Sequence, residues 1–136
     1  MATETTRALI DDFYRALRTG DRARLLELVA PDAVWIPPVT APVGRTEGAE
    51  AIVDALGSRI VRDTFDLSKP FALEVRRIVV DGDVAVVQQR LTATAKATGT
   101  DYDNQYCWVY VFRDDRIVEM EEYADTIVAG RAMGFL

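Results

Sequence analysis

Ala8, Leu9, Phe13, Ala16 and Leu17 recur at helical spacing and predict a helix over residues 3–19. Thr19-Gly20-Asp21 stops it, with Gly20 as C-terminal cap and Asp21 as cap of the next helix. That second helix is short, with Leu25, Leu26, Leu28 and Val29 as its apolar face and Pro31 ending it. Ala33 to Ile36 reads as a brief strand broken by Pro37-Pro38. Residues 37–46 hold prolines and Gly44 and read as a loop. A third helix is expected from about Glu47 to Val61, with Ala51, Ile52, Ala55 and Leu56 inward.

The period then changes. Phe71 to Val80, Val84 to Lys96, Asn104 to Arg113 and Arg116 to Ala124 read as four strands of an antiparallel meander. Asp81-Gly82, Thr98 to Asp101 and Asp114-Asp115 supply the turns. Asp125-Thr126 caps a short C-terminal helix to about Met133. Helices first and strands afterwards predict an α+β fold, a strongly curved sheet with helices segregated on one side.

Alternation locates a site. On the second long strand one face carries Val86, Gln88, Arg90, Thr92, Thr94 and Lys96, and the other Ala85, Val87, Gln89, Leu91, Ala93 and Ala95. The third has Asn104, Tyr106, Trp108, Tyr110 and Phe112 on one face, and the fourth has Val118, Met120, Glu122 and Ala124. If the amphipathic and aromatic faces line one concavity, Arg90, Tyr106, Trp108 and Glu122 converge in an apolar pocket with few polar groups. A buried Arg90 requires a partner, and Glu122 is the expected one. Gln88, Thr92, Asn104 and Met120 share these faces and are candidate substrate contacts, together with Trp35. The plainer alternative is that the aromatics pack the first helix into the sheet and that Arg90 and Glu122 form a structural pair. The opposite face, with Ala85, Val87, Leu91, Ala93, Val109 and Val111, is the expected homodimer surface.

Composition narrows the chemistry. With 136 residues, 49% apolar and 28% charged, the chain reads as one globular domain over residues 1–136. No apolar run is long enough to span a bilayer, and the N-terminus is not a signal peptide. A net charge of −6 disfavours nucleic acid, and no basic amphipathic helix offers a membrane anchor. Cys107 is the only cysteine, which excludes an internal disulfide and fits a reducing cytoplasm. Fourteen arginines against two lysines hint at a GC-rich bacterial genome. There is no histidine, so Ser-His-Asp and Cys-His catalysis are excluded. Metal-ligand spacings and glycine-rich phosphate loops are absent, and no cofactor is expected. Acid–base chemistry falls to Asp, Glu, Tyr, Arg, Lys or water.

The order of elements, the Thr-Gly-Asp junction, Pro31-Asp32-Ala33-Val34-Trp35 and the stretch from Asn104 to Thr126 together resemble the SnoaL-like branch of the nuclear-transport-factor and ketosteroid-isomerase superfamily. The resemblance implies a cone-shaped α+β barrel with N-terminal helices enclosing an apolar pocket, commonly a homodimer through the sheet. It spans polyketide cyclases, isomerases, epoxide hydrolases, dehydratases and non-catalytic binders. The isomerase catalytic Asp falls near Pro37, the oxyanion-hole Tyr near Phe13 or Tyr14, and the oxyanion-hole Asp near Trp108. The epoxide-hydrolase Arg-x-Asp reads Arg90-Leu91-Thr92, with Glu122 in the last acidic place. The resulting expectation is a cofactor-free enzyme acting on a hydrophobic small molecule with a carbonyl or hydroxyl. Glu122 is its acid–base residue, with Arg90, Tyr106 or Tyr14 stabilising an oxyanion. The competing expectations are a binding or interaction module without turnover, or an epoxide-hydrolase- or dehydratase-like variant.

Overall fold

The computed structural model describes residues 1–38 and 44–136, with Ser58 by backbone only. Helix α1 runs Thr3–Thr19 and α2 runs Arg22–Leu28. Gly20, at φ 68°, closes α1 by donating its N–H to the Ala16 and Leu17 carbonyls. The Asp21 carboxylate caps α2 by accepting from Arg24 N. Helix α1 follows the expected bounds, whereas α2 stops short of Val29, an expected member of its apolar face.

Strand β1, Val29–Ile36, begins earlier than the sequence suggests. Helix α2 already ends at Leu28, and Pro31 sits inside the strand. It is tolerated there because the register with the neighbouring strand shifts between Val29 and Val34, where no ladder N–H is required. The expected loop over 37–46 falls partly on residues 39–43, outside the described residues. Its last position joins Glu47 in a two-residue strand, β2 (Thr46–Glu47), antiparallel to β1. The single third helix expected from the periodicity is three pieces: α3 (Ala49–Asp54), a π-helical turn (Ala55–Arg59) and α4 (Ile60–Thr64).

The meander is β3 (Ala72–Asp81), β4 (Val84–Thr94), β5 (Asp101–Arg113) and β6 (Arg116–Ala124), followed by α5 (Thr126–Met133). Asp125 caps α5 by accepting from Ile127 N and Val128 N. The first hairpin turn sits one residue later than expected: Asp81 pairs with Val84, leaving Gly82 and Asp83 at the corner, with Gly82 at φ 59°.

The six strands form one sheet in the order β2-β1-β6-β5-β4-β3. The three meander pairs run antiparallel, but β1 lies parallel to β6, so the sheet is mixed rather than wholly antiparallel. It is also open, with β2 and β3 as its edges and the N-terminal helices packed on one face, which is the expected α+β arrangement. Helix α1 packs on the inner face. Ile10, Phe13 and Tyr14 are buried with Ala85, Val87, Tyr110 and Phe112, and the Phe13 and Tyr110 rings meet edge-on at 5.6 Å. The small side chains of β4 make room for that helix. A second cluster under α5 gathers Phe65, Leu91, Ala93, Tyr102 and Ala132.

Register decides which face is which. Val87 stands opposite Trp108, Gln89 opposite Tyr106 and Leu91 opposite Asn104. The inner face of β4 is therefore the odd-numbered one, and Gln88, Arg90 and Thr92 lie on the outer face. This corrects the expectation that they share a concavity with Trp108. It also divides the expected dimer surface, since Ala85, Val87, Leu91 and Ala93 are buried inside while Val109 and Val111 face outward.

Candidate functional site

A cleft of about 550 Å³ lies between the inner sheet face and the helices. Leu17 and Arg18 from the end of α1 line one side, and Leu56, Gly57, Ile60 and Val61 line another. The sheet supplies Trp35, Leu73, Gln89, Leu91, Tyr106, Trp108 and Glu122. Arg18, Gly57 and Phe71 are the exposed members and mark the mouth, whereas Trp35, Gln89, Leu91 and Trp108 are buried. The π-helical turn places Leu56 and Gly57 against the cavity. A π turn locally rotates the side-chain register of a helix, and such turns often occur at ligand sites.

Glu122 comes inward because β6 is bulged. Phe112 pairs with Ile117 and Val111 with Glu119, leaving Val118 as the extra residue. From there Met120 stands opposite Tyr110 and Glu122 opposite Trp108. Trp35 Nε1 donates to Glu122 Oε1 at 3.2 Å. Trp35 stacks on Trp108 at 6.2 Å between centroids, and Trp108 stacks on Tyr110 at 5.8 Å. Among the described residues no cation pairs with Glu122. Burial among these rings therefore dominates over the single indole hydrogen bond and pushes its carboxyl up to about 7. An acid poised there takes and returns protons near neutral pH.

Arg90 is elsewhere. Its Nε and Nη2 donate to the two carboxylate oxygens of Asp103 at 2.8 and 2.6 Å on the exposed outer face. The physical reason is simple: a strand with Arg and Lys on one face and none on the other keeps the charged face in water. Gln88 is exposed and Thr92 half-buried on that same side.

The remaining expected site residues divide. Trp35, Tyr106 and Trp108 line the cleft together with Glu122. Tyr14 is buried behind it, its hydroxyl donating to Gln89 Oε1 at 2.9 Å and sharing a hydrogen bond of 2.7 Å with the Tyr110 hydroxyl. Desolvation raises the Tyr14 and Tyr110 phenols well above their ordinary value, so both remain protonated. Met120 is wholly buried in the core and does not line the cleft. Asn104 is also buried behind the wall, with Nδ2 donating to the Tyr102 hydroxyl at 2.8 Å and to the Asp125 carbonyl at 3.1 Å. The Tyr102 and Tyr106 hydroxyls lie 2.5 Å apart, and burial raises both phenols.

Gln89 is the residue the sequence reading missed. Its signal was a polar amide on an otherwise small apolar strand face. With Oε1 taken by Tyr14, its Nε2 donors have no partner among the described residues and the side chain borders the cleft. Trp108 Nε1 is a buried donor that has no partner among the described residues. Among those residues no group of three or more His, Cys, Asp or Glu is placed to hold a metal ion. Among the described residues no helix is long and apolar enough to cross a membrane.

Comparison with known proteins places this architecture. A protein of Burkholderia xenovorans LB400 called NTF2-like is 26% identical, with 98% of each chain covered and a TM-score of 0.83. A Jannaschia sp. CCS1 protein that carries the name SnoaL-like polyketide cyclase is 18% identical over 96% of this chain and 92% of that one, at TM-score 0.78. A Bacillus subtilis protein that carries the name isomerase is 22% identical over 100% and 98% of the two chains, at TM-score 0.74. None of the curated proteins compared with the chain matches it. The SnoaL-like domain profile matches residues 10–120, which include β1, β3 to β5 and Trp108 and end within β6. The chain belongs to the SnoaL-like domain family, with the NTF2-like fold.

Proposed function

We propose that this protein is a cofactor-independent acid–base catalyst acting on an apolar small molecule with a carbonyl group, of the polyketide-cyclase or isomerase type. The observation that carries the reading is Glu122: a carboxyl without a cationic partner among the described residues, set among aromatic rings in an open cleft, with its pKa pushed up to about 7. In the carboxylate form Glu122 removes a proton from carbon next to the carbonyl, and charge moves onto the carbonyl oxygen. Gln89 Nε2, oriented through Tyr14, and the Tyr106 hydroxyl, backed by Tyr102 and Asn104, are the donors that stabilise that oxygen. Protonated Glu122 then returns the proton to a different carbon, an isomerisation. Alternatively, the enolate carbon attacks a second carbonyl, whose π bond opens to an alkoxide that takes the proton from Glu122, a cyclisation.

The names carried by the Jannaschia and Bacillus subtilis proteins agree with this class. Arg90 has no part in it. Because the inward positions are Gln89 and Leu91, the geometry gives no support to an epoxide-hydrolase arrangement built on Arg90 and Thr92.

The test is solvent-deuterium incorporation beside the carbonyl of 2-tetralone, followed by NMR. The wild type is expected to accelerate exchange, with the rate rising through about pH 7. Glu122→Gln is expected to lower the acceleration by about 10²–10⁴-fold. Equal exchange by both proteins, or no acceleration by the wild type over buffer, would overturn the reading.

The protein is further proposed to be a cytoplasmic homodimer through the outer sheet face. Val79, Val86, Val109 and Val111 lie at its centre, Arg76 and Arg77 on the β3 side, and Glu119 and Glu121 on the β6 side. A two-fold axis through β4 and β5 sets those arginines against the partner's glutamates. A monomeric mass by light scattering at micromolar concentration would refute it.

A further inference from the structure

We propose that the cleft selects an anionic ligand: an apolar carboxylic acid whose carboxylate is held by Arg18 at the mouth while its body lies along the apolar walls toward Glu122. This rests on the same cleft as the acid–base reading and adds the chemical class of its ligand.

Two charged side chains line the cleft, Arg18 at the exposed mouth and Glu122 within. Arg18 makes no hydrogen bond or ion pair among the described residues. Most of the neighbouring arginines do: Arg15 and Arg24 both meet Asp12, and Arg22 meets Asp54. The ordinary reason for an arginine in the last turn of a helix is service to the terminal carbonyls. Here the backbone and a threonine supply that service. Gly20 N–H donates to Ala16 O and Leu17 O, Asp21 N–H donates to Ala16 O, and Thr19 Oγ1 donates to Arg15 O. The guanidinium is left without an acceptor among the described residues, beside an apolar cavity.

The other polar atoms of the cleft point the same way. Gln89 Nε2 is a donor without an acceptor among the described residues, and Tyr106 has an O–H backed by a second tyrosine. The cleft is rich in donors, so its complement is rich in oxygen acceptors. A guanidinium presents a planar fork that fits a carboxylate in two hydrogen bonds, and it stays charged at every accessible pH. In a protein of net charge −6 the mean field repels anions, so attraction at this mouth has to be local. Leu73, Leu91, Val61 and Phe71 then cover the apolar body.

The probes are 4-phenylbutanoate and its neutral isostere 4-phenylbutanamide. Binding is read from tryptophan emission, since Trp35 and Trp108 are the only tryptophans and both line the cleft. Wild type is expected to bind the carboxylate about tenfold more tightly than the amide, the difference expected of one charge-assisted contact. Arg18→Met should remove the preference while leaving amide binding unchanged, and Arg18→Lys should keep part of it. Arg15→Met, on the same helix but outside this cleft, should retain the preference in full. Equal affinities in wild type, absence of carboxylate binding at millimolar concentration, a preference that survives Arg18→Met, or an equal loss in Arg15→Met would each overturn the assignment. Glu122→Gln should keep the preference. A charge-selective cleft without isotope exchange would therefore sink the acid–base reading and leave this one standing.

Discussion

Trp35 Nε1 donates to Glu122 Oε1 across 3.2 Å, and the two residues reach each other because β1 and β6 pair in parallel, with Trp35 beside Met120. The indole holds the carboxyl in place without neutralising it. A cation in the same position would have pulled the carboxyl pKa down and removed a base that works near neutrality.

The raised pKa has a signature in stability. Glu122 binds its proton up to about pH 7 in the folded state against 4.5 ordinarily, so its contribution is fully present below 4.5 and is lost as pH rises through 7. Asp66 and Asp103 are shifted in the opposite direction and act below the ordinary carboxylate range. Between pH 4.5 and 7 the wild type is expected to lose stability relative to Glu122→Gln, by about 1–3 kcal/mol once residual solvation is allowed for. Urea unfolding of both proteins at pH 4.5, 6 and 8 measures it, and parallel pH profiles would contradict it.

Arg90 and Asp103 are an exposed pair on the outer face. Arg90→Met, Asp103→Asn and the double variant are expected to unfold like wild type within measurement error and to leave cleft binding untouched. A strong, non-additive loss in a double-mutant cycle would place Arg90 back inside.

Tyr14 acts through Gln89. Removing its hydroxyl in Tyr14→Phe leaves the buried Gln89 Oε1 without its donor and is expected to cost about 1–3 kcal/mol. Any turnover should fall through kcat more than KM, because Tyr14 is buried behind the cleft and does not line it. An unchanged unfolding midpoint would show that Gln89 finds another donor.

The β5–β6 turn carries two aspartates at positive φ, Asp114 at 52° and Asp115 at 63°. Replacing Asp114-Asp115 by Asn-Gly suits that geometry and is expected to raise stability by about 0.5–1 kcal/mol. A drop in thermal midpoint would mean the aspartates serve some other purpose.

Much of this architecture is legible in the sequence, because caps and turns are local. Gly20, Asp21, Asp125 and the Asp114-Asp115 corner all act within a few residues of themselves. Glu122 and Trp108 were legible too, as members of the aromatic and amphipathic faces of β5 and β6, whereas Trp35 reaches them from β1. What alternation alone does not give is the parity between β4 and β5. Two strands can pair with odd or even register sums, and choosing wrongly carries Arg90 inside and Gln89 outside. The charge rule settles it: of the two β4 faces, only one is free of Arg and Lys. Bulges at Arg76 and Val118 escape any simple alternation, since each moves the later residues of its strand to the other face.

The Val118 bulge bears on how faithfully the chain reaches its native state. Continued without it, the hairpin that begins at Arg113 and Arg116 would set Tyr110 opposite Glu119 and Trp108 opposite Glu121. The Glu119 carboxylate would then enter the core in place of Met120, at a cost of several kcal/mol, while Glu121 would merely take the place of Glu122. At neutral pH the misregistered hairpin is thus rejected by a residue that decorates the correct one. In acid that carboxylate is neutral and the rejection weakens. Refolding from low pH is accordingly the route on which a kinetically trapped, slipped population should accumulate, and a jump to neutral pH should release it.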